Sequence, residues 1–419
     1  MNFYVLTEEE FTSFAKDHEY ESFMQTVELG NLKKESLNTP HYLGMIKGDK
    51  IVAATLLLEE KRAFGRKTFY APRGFLIDYK DLELLKLFTE EIKKFIKKKK
   101  GFKLTIDPNV AYRKRSSDGD IINEEKFDIA INNLKEIGYK HFGFNKYFEA
   151  LQVRWSYQLE LNKPYEELKS NFSKSTRKNI ESCYKKGLRV RVGTIDDLPT
   201  MENIFDVTAK RKDFSSRSLE YYQKMYKDMG NLMTIYIAYL DSDIYYDNTK
   251  LLLENEKKNN EEIIDKISKN LVGAKLTNQK EISDKLIKKY EEELKKAKKF
   301  KEDNPNGKDI ACLLSIKSGK YYLTLSSGCI EEYKSFTPKY ALYDTHIKDA
   351  YEMGYKMVDC YGITGDFNKD NKFYGIYEFK KGFNGNVIEL IGEFTIEIGP
   401  IGKIYSISKK LKNIIKRTN

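Results

Sequence analysis

The chain has 419 residues, with 74 Lys and Arg against 63 Asp and Glu, a formal net charge of +11. At about 150 residues per domain, that length predicts two or three compact units, and the basic excess points to an anionic partner such as nucleic acid, a phosphorylated substrate or a membrane surface. The 24 Phe and 30 Tyr argue against wholesale disorder. The longest apolar stretch, residues 51–58, is far short of the roughly 20 residues that span a bilayer. The start, Met1-Asn-Phe-Tyr-Val-Leu-Thr-Glu-Glu-Glu, has no basic segment followed by an apolar core, so neither secretion nor membrane spanning is expected. Four isolated cysteines (183, 312, 329, 360) and scattered histidines predict a reduced setting and no metal site.

Thr7 is a natural N-cap, and residues 8–14 after it predict a short helix. Residues 44–46 and 51–58 predict two strands around a Lys47-Gly48-Asp49-Lys50 turn. Residues 81–97 carry Leu84, Leu85, Phe88, Ile92, Phe95 and Ile96 on one side, the pattern of an amphipathic helix. Its trailing lysines, 97–100, suit the negative end of the helix dipole. Residues 102–108 predict a buried strand, and strand, helix and strand in that order indicate a mixed α/β sheet. The polar stretch 110–124 is expected to be an exposed loop. A helix over 127–137 stops at Gly138, and strand-rich residues 151–161 contain the only tryptophan, Trp155.

A second cycle of similar order follows. A basic helix over 173–186 closes at Gly187, a strand covers 188–192, helices cover 197–210 and 218–228, and a strand covers 233–239. Further on, strands at 311–316 and 321–325 form a hairpin, followed by a helix over 340–353 and a strand over 357–361. Between about 246 and 304 the composition turns to Lys, Glu and Asn. Ile264, Ile267 and Leu271, then Ile287, Tyr290, Leu294 and Ala297, repeat the three- and four-residue steps of a coiled-coil seam. Residues 273–278 are the expected turn of an antiparallel helical hairpin, which serves either as a solvated spacer or as a grip for an elongated polyanion or partner. The predicted division is residues 1–155; 156–245 with 308–395; the hairpin 246–307; and a tail, 396–419, packing back on the first unit.

The usual phosphate-binding glycine loops and the Gly-x-Ser-x-Gly elbow are missing. Arg73, in Ala71-Pro-Arg-Gly74, sits on a tight turn where it can bind phosphate bidentately or brace its own loop. Asp107, in Thr105-Ile-Asp-Pro108, ends a buried strand, where a carboxylate can orient or deprotonate an amine or simply close the strand. Lys174, Arg177, Lys178 and Lys185 can share one helix face, with Ile180 and Tyr184 inward, suited to backbone phosphates or to plain solvation. Arg217 and Tyr221 stand one helical turn apart, suited to a diphosphate or carboxylate, or to each other. The richest stretch runs from Asp359-Cys-Tyr-Gly-Ile-Thr-Gly365 through Tyr374-Gly-Ile-Tyr-Glu-Phe-Lys-Lys-Gly-Phe383 to Ile388-Glu-Leu-Ile-Gly-Glu-Phe394. There, Lys380 or Lys381 in an aromatic frame can stabilise a developing oxyanion.

These pieces, with residues 70–78, Ile106-Asp-Pro108, the basic helix and residues 211–222, resemble the Fem family of peptidoglycan-bridge aminoacyltransferases over nearly the whole chain. The inserted hairpin resembles the long, coiled-coil-bearing members, most like those that add the first bridge residue. The resemblance implies an α/β (α+β) fold: two GNAT-like (acetyltransferase-like) mixed-sheet domains, with the hairpin arising from the second. It implies transfer of an amino acid from aminoacyl-tRNA to a side-chain amine of the stem peptide of a lipid-linked or UDP-linked muropeptide. No cofactor is implied, because the ester already stores the energy. By the same resemblance Lys380 beside Phe379 is the pair at the transition state and Asp107 the acidic group near the acceptor. Arg217 and Tyr221 hold the acceptor's phosphates, with Lys33 as a second contact. A cytoplasmic protein peripheral to the inner membrane face, working beside sibling aminoacyltransferases, completes the expectation.

Two other readings remain at this point. A CoA-dependent acetyltransferase needs a pyrophosphate loop, whose nearest counterpart, Arg62-Ala-Phe-Gly65-Arg-Lys67, fails at its last position. A non-catalytic RNA-binding or scaffold protein would use only the basic surface and the hairpin. The donor amino acid, the acceptor amine (lysine or diaminopimelate) and the oligomeric state are not encoded in any motif.

Overall fold

The computed structural model describes residues 1–34, 38–122, 128–212, 215–269, 274–402 and 404. The chain begins with β1 (Asn2–Val5), α1 (Glu8–Ala15), α2 (Val27–Lys34), β2 (Asn38–Lys47), β3 (Lys50–Lys61), β4 (Lys67–Ala71), α3 (Leu82–Lys98) and β5 (Gly101–Ile106). It continues through β6 (Ala111–Arg115), α4 (Asp128–Glu136), β7 (Lys140–His141), β8 (Trp155–Glu160), α5 (Tyr165–Ser170), α6 (Lys174–Lys185) and β9 (Leu188–Val192). Then come α7 (Leu198–Lys212), α8 (Leu219–Met229), β10 (Met233–Leu240), α9 (Ser242–Ser268) and α10 (Ala274–Asp303). The last third holds β11 (Lys308–Ser318), β12 (Tyr321–Cys329), α11 (Pro338–Glu352), β13 (Met357–Ile363), α12 (Tyr374–Lys381), β14 (Asn386–Leu390) and β15 (Phe394–Glu397).

Local chemistry sets many of these boundaries. Thr7 and Glu10 form a reciprocal capping box on α1. Asp81 accepts from the Leu84 amide to start α3, whose Leu84, Leu85, Phe88, Ile92 and Ile96 are buried. Ser173 caps α6 in the same way, and Gly187, at φ +89°, supplies the left-handed turn after it.

The strands form two mixed sheets, β1-β2-β3-β4-β5-β15-β7 and β6-β14-β8-β13-β12-β11-β10-β9. Each contains an antiparallel meander (β2-β3-β4 or β10-β11-β12), then a helix, α3 or α11, leading to a parallel neighbour, β5 or β13. That repeat is the duplication expected from the order of elements, and it gives the expected α/β architecture of two mixed-sheet units. On β3, Ala53 and Leu57 enter one core while Ala54, Leu56 and Leu58 enter another. On β10, Tyr236 and Ala238 face one core and Ile235 and Ile237 the other. Both sheets are therefore covered on both faces, which is why these strands read as near-continuous apolar runs. The core shared by β3, β10 and β11 with α1, α2, α7 and α8 ties the sheets together.

Two strands cross the divisions drawn from sequence. The stretch expected as an exposed loop contains β6, which pairs with β14 at the edge of the second sheet and buries Val110 and Tyr112. Its charged residues suggest a loop, but in the fold Lys114 meets Glu160 at 2.6 Å and Arg115 meets Glu389 at 3.1 Å, partners that come from distant segments. Conversely, β15 leaves the second unit and inserts between β5 and β7, so Phe394 and Thr395 belong to the first sheet along with Ile396 and Glu397. Most of the tail expected to pack on the first unit, residue 403 and residues 405–419, lies outside the described residues.

The helical hairpin is present, with corrected details. Helix α10 starts at Ala274, so residues 274–278, expected as the turn, are helical; Leu271 and Gly273 lie outside the described residues. The buried seam residues are Leu253, Asn260, Ile263, Ser283 and Ala297, and Ile264 faces solvent. Two adjacent isoleucines fit the same spacing, and packing selects the first. The seam is also more polar than a heptad predicts: Asn260 donates to Asp284 at 2.9 Å and Ser283 to Glu256 at 2.6 Å. At the base, Tyr245 donates to Glu293 at 2.6 Å and packs on Phe300 and Phe336.

Candidate active site

Parallel pairing of β4 with β5 sets Ala71 opposite Ile106, so the turn after one strand meets the end of the other. Asp107 is buried there; one carboxylate oxygen accepts from the Arg73 amide at 2.7 Å and the other from the Tyr70 hydroxyl at 3.0 Å. Arg73 holds φ +53°, which turns its amide toward the carboxylate. Burial pushes the Asp107 pKa up to about 6, against the opposing pull of Arg73 and Tyr70. The Arg73 side chain is itself buried and donates to the Val153 carbonyl at 2.7 Å. It therefore lies inside the molecule rather than on an outward-facing turn.

The second sheet contributes Lys380. Helix α12 buries its ammonium, which donates to the carbonyls of Tyr361 at 3.1 Å and Gly362 at 2.8 Å. Desolvation lowers its pKa to about 8, partly offset by Cys360 and Asp359. An extra residue in β13 against β8, between Asp359 and Gly362, makes those carbonyls available. Tyr361 occupies φ +62°, unusual for a residue with a side chain. Asp359 steadies this bulge by accepting from Ser156 at 2.5 Å, Gln158 at 3.0 Å and the Tyr361 amide at 2.7 Å. Two of the three ammonium hydrogens are thus engaged, leaving one for a substrate oxygen. Phe379 takes a different direction, packing edge-on against Tyr340 and Tyr343 with ring centroids 5.0 and 4.9 Å away. Lys381 turns outward and pairs with Asp118.

Tyr361 links the two halves. Its carbonyl holds Lys380, and its hydroxyl donates to Gln152 at 2.9 Å and faces the Arg73 guanidinium. A cavity of about 40 Å³ opens beside it, lined by Glu21, Arg73, Asn109, Ser156, Asp359 and Tyr361 among others. Asp107, from the first sheet, and Lys380, from the second, are therefore connected through Arg73 and Tyr361. Sequence reading does not single out Tyr361, Gln152 or Ser156, and no residue pattern signals them.

A separate cleft of about 250 Å³ is lined by Arg217, Tyr221, Tyr222, Ser215, Ser216 and others. The Arg217 guanidinium lies 5.3 Å from the Tyr221 ring centre. Packing of α2 against α8 brings Lys33 near, and its pKa is lowered first by burial and then by the Arg217 charge. Among the described residues neither Lys33 nor Arg217 forms an ion pair, and the Arg217 guanidinium lines the cleft.

The basic helix divides. Lys174 and Lys178 are exposed on α6. Arg177 folds back to donate to the carbonyls of Ser170 and Phe172, and Lys185 pairs with Glu181 at 2.6 Å. Ile180 is buried as expected, whereas Cys183 rather than Tyr184 is the fully buried partner. All four cysteines are buried and free, and among the described residues no cluster of three His, Cys, Asp or Glu side chains could hold a metal ion.

The FemAB family profile matches residues 6–412. Aminoacyltransferase FemA of Staphylococcus epidermidis is 30% identical over 420 residues, covering 98% of this chain and all of that protein. Aminoacyltransferase FemA of Staphylococcus aureus is 27% identical over 425 residues, covering 99% of this chain and all of that protein. The crystal structure of FemX superposes with a TM-score of 0.77 at 23% identity, covering 96% of this chain and 99% of that one, a likeness of fold.

Proposed function

We propose the reaction from one premise, that the chain belongs to the FemAB family. It is a tRNA-dependent aminoacyltransferase that moves an amino acid onto the side-chain amine of a peptidoglycan stem peptide, building the interpeptide bridge. The observation that carries the residue assignment is the buried Lys380 ammonium, anchored by two carbonyls with one hydrogen spare.

In this reading Asp107 takes a proton from the acceptor ammonium, and the free amine attacks the ester carbonyl of the aminoacyl-tRNA. The new C–N bond places negative charge on the carbonyl oxygen, where the spare Lys380 hydrogen stabilises it. Collapse breaks the ester C–O bond, and the surplus proton on the attacking nitrogen passes, through Lys380 or water, to the departing RNA oxygen, so that a neutral amide and an RNA hydroxyl result and Lys380 keeps its charge. Phe379, wedged among Tyr340 and Tyr343, fixes the helix that carries Lys380 and so acts as a positioning residue. Arg73 serves Asp107 and Tyr361 rather than a phosphate. No cofactor is needed, because the ester bond drives the transfer.

Arg217, Tyr221 and Lys33 bind the diphosphate of the acceptor, supported by Arg217 and Tyr221 lining one cleft and by Lys33 lying close enough to feel the Arg217 charge. Lys174 and Lys178 lead the contact with the tRNA backbone, and Lys185 adds to it when it leaves Glu181. Among the described residues no helix is long and apolar enough to cross a membrane. We place the enzyme in the cytoplasm, peripheral to the inner membrane face, acting on a lipid-linked acceptor. Sibling aminoacyltransferases that extend the same bridge are its expected protein partners.

The test is mass spectrometry of lipid-linked and UDP-linked precursors after incubation with a pool of aminoacyl-tRNAs. A gain of one or more amino-acid residues is expected, and its size names the donor. No gain on any acceptor would overturn the reading.

A further inference from the structure

Glu21 lines the cavity beside Tyr361 with half of its carboxylate unused. It is 5% exposed; Oε1 accepts from the Lys320 amide at 2.7 Å, while the buried Oε2 has no hydrogen-bond partner. Burial raises its pKa, with the Lys320 amide and charge pulling the other way. The Lys320 ammonium itself lies over the Tyr321 ring, 5.3 Å from its centre. Gly319, at φ +46°, admits the carboxylate, because any side chain there would collide with Oε2. Asn109, two residues beyond Asp107, donates its side chain to the Glu21 carbonyl at 2.8 Å and its amide to the Arg73 carbonyl at 3.3 Å. The segments that carry Glu21, Arg73 and Asp107 are thereby fastened together. A buried carboxylate oxygen without a donor is a costly arrangement that a ligand N–H relieves.

We infer that Glu21 binds the ammonium group of the acceptor's side chain in this cavity. Its volume of about 40 Å³ has room for a group of water size, such as an ammonium. Asp359 lines it as a second carboxylate, and among the described residues neither carboxylate forms an ion pair. Arg73, the cation among the lining residues, faces Asp107 and donates to the Val153 carbonyl at 2.7 Å. A charge-assisted N–H···O bond to Oε2 completes the hydrogen bonding of Glu21. Strand β12 points to the acceptor as the substrate that brings it. Tyr321 and Leu323 of that strand line the cavity, and Leu325, Ser326 and Ser327 line the cleft of Arg217 and Tyr221. At about 3.4 Å per residue, Tyr321 and Ser327 stand roughly 20 Å apart, a span that a sugar and a few peptide residues cover. An acceptor laid along β12 with its phosphates at Arg217 therefore brings its amine to Glu21, at the junction of Arg73 with Asp107. The inference rests on the reading of the chain as an aminoacyltransferase, and it names the residue that holds the nucleophile. Glu21 binds the amine, and Asp107 remains the group that takes its proton.

The test is a binding cycle on the full chain, read by calorimetry. The probes are the UDP-linked acceptor with its side-chain amine and an analogue carrying a methyl group in place of that amine. The intact chain should bind the amine form about tenfold more tightly, and Glu21→Gln should bind the two alike. Gln keeps a carbonyl oxygen for the Lys320 amide, so the turn stays tied, and thermal denaturation of the variant should match the parent. In steady-state transfer, Glu21→Gln should raise KM for the acceptor about tenfold and leave KM for aminoacyl-tRNA unchanged. No preference of the intact chain for the amine form would overturn the inference, whatever the variant does. So would an equal preference in both proteins, which would leave Glu21 a structural tie to the hairpin turn. A KM increase confined to aminoacyl-tRNA would also overturn it and assign Glu21 to the donor's α-amino group. Absence of transfer by the intact chain with the binding cycle preserved would instead strike the reading as a transferase and leave Glu21 an ammonium site.

Discussion

The Lys380 ammonium lies 2.8 Å from the carbonyl oxygen of Gly362, where pairing with the neighbouring strand resumes after a bulge that leaves Cys360 and Tyr361 out of register. A lysine hydrogen-bonded to carbonyls rather than to a carboxylate keeps an N–H available. The following consequences can be measured.

The pH profile of kcat/KM should be bell-shaped. Asp107 works as a base only when ionised, and burial holds its pKa at about 6. Lys380 works as a donor only when protonated, and burial holds its pKa at about 8. The rate therefore rises through about pH 6 and falls above about pH 8, and Asp107→Asn removes the lower limb. A rate that stays constant from well below pH 6 to well above pH 8 would contradict both roles.

Stability should carry the same two groups with defined signs. The folded Asp107 pKa lies above its ordinary 3.8, so its contribution is fully present below that value and is lost as pH rises toward about 6. The folded Lys380 pKa lies below its ordinary 10.5, so between about 8 and 10.5 the unfolded chain binds the extra proton and stability rises with pH. Urea denaturation of the parent and of Lys380→Met across pH 7–10 reads this directly: the rise above about pH 8 disappears in the variant.

Arg217→Ala and Lys33→Ala should each raise KM for a diphosphate-bearing acceptor about tenfold, the loss of one charge-assisted contact. The same substitutions should leave KM unchanged for a peptide acceptor without phosphates. Equal effects on both acceptors would remove the cleft from phosphate binding.

The basic helix should separate into two behaviours. Lys174→Glu with Lys178→Glu weakens tRNA binding and lowers its salt slope by about 2. Arg177→Ala acts on stability, because its guanidinium holds the carbonyls of Ser170 and Phe172. Filter binding and thermal denaturation of the two variants distinguish the cases.

In the hairpin, Ile263→Asp should cost about 2–4 kcal/mol in urea denaturation, because it buries a charge in the seam. Ile264→Asp, on the solvent side, should stay within about 0.5 kcal/mol. Equal costs would contradict the register set by Asn260 with Asp284.

These cases show where sequence is informative. Helix α3 is legible because Asp81 caps it and its apolar side repeats at helical spacing. Strand β6 is not, because Arg113-Lys114-Arg115 looks solvated until Glu160 and Glu389 arrive from distant segments. Helix α12 is not assigned from sequence, because Gly375 interrupts its helical pattern in the first turn. The crossing of β15 into the first sheet is a tertiary choice that no local pattern encodes. At the site, Asp107 and Lys380 stand out as charged residues in apolar or aromatic settings. The part of Tyr361 lies in its backbone angle and in what its carbonyl faces, and composition carries no trace of either.

The most direct measurement is single-turnover transfer from aminoacyl-tRNA to the precursor, read by acceptor mass for the intact chain and for Lys380→Met. The account predicts a product one residue heavier from the intact chain, and a rate about 10²–10³-fold lower in the variant with donor and acceptor binding intact. Undiminished transfer by Lys380→Met would contradict it.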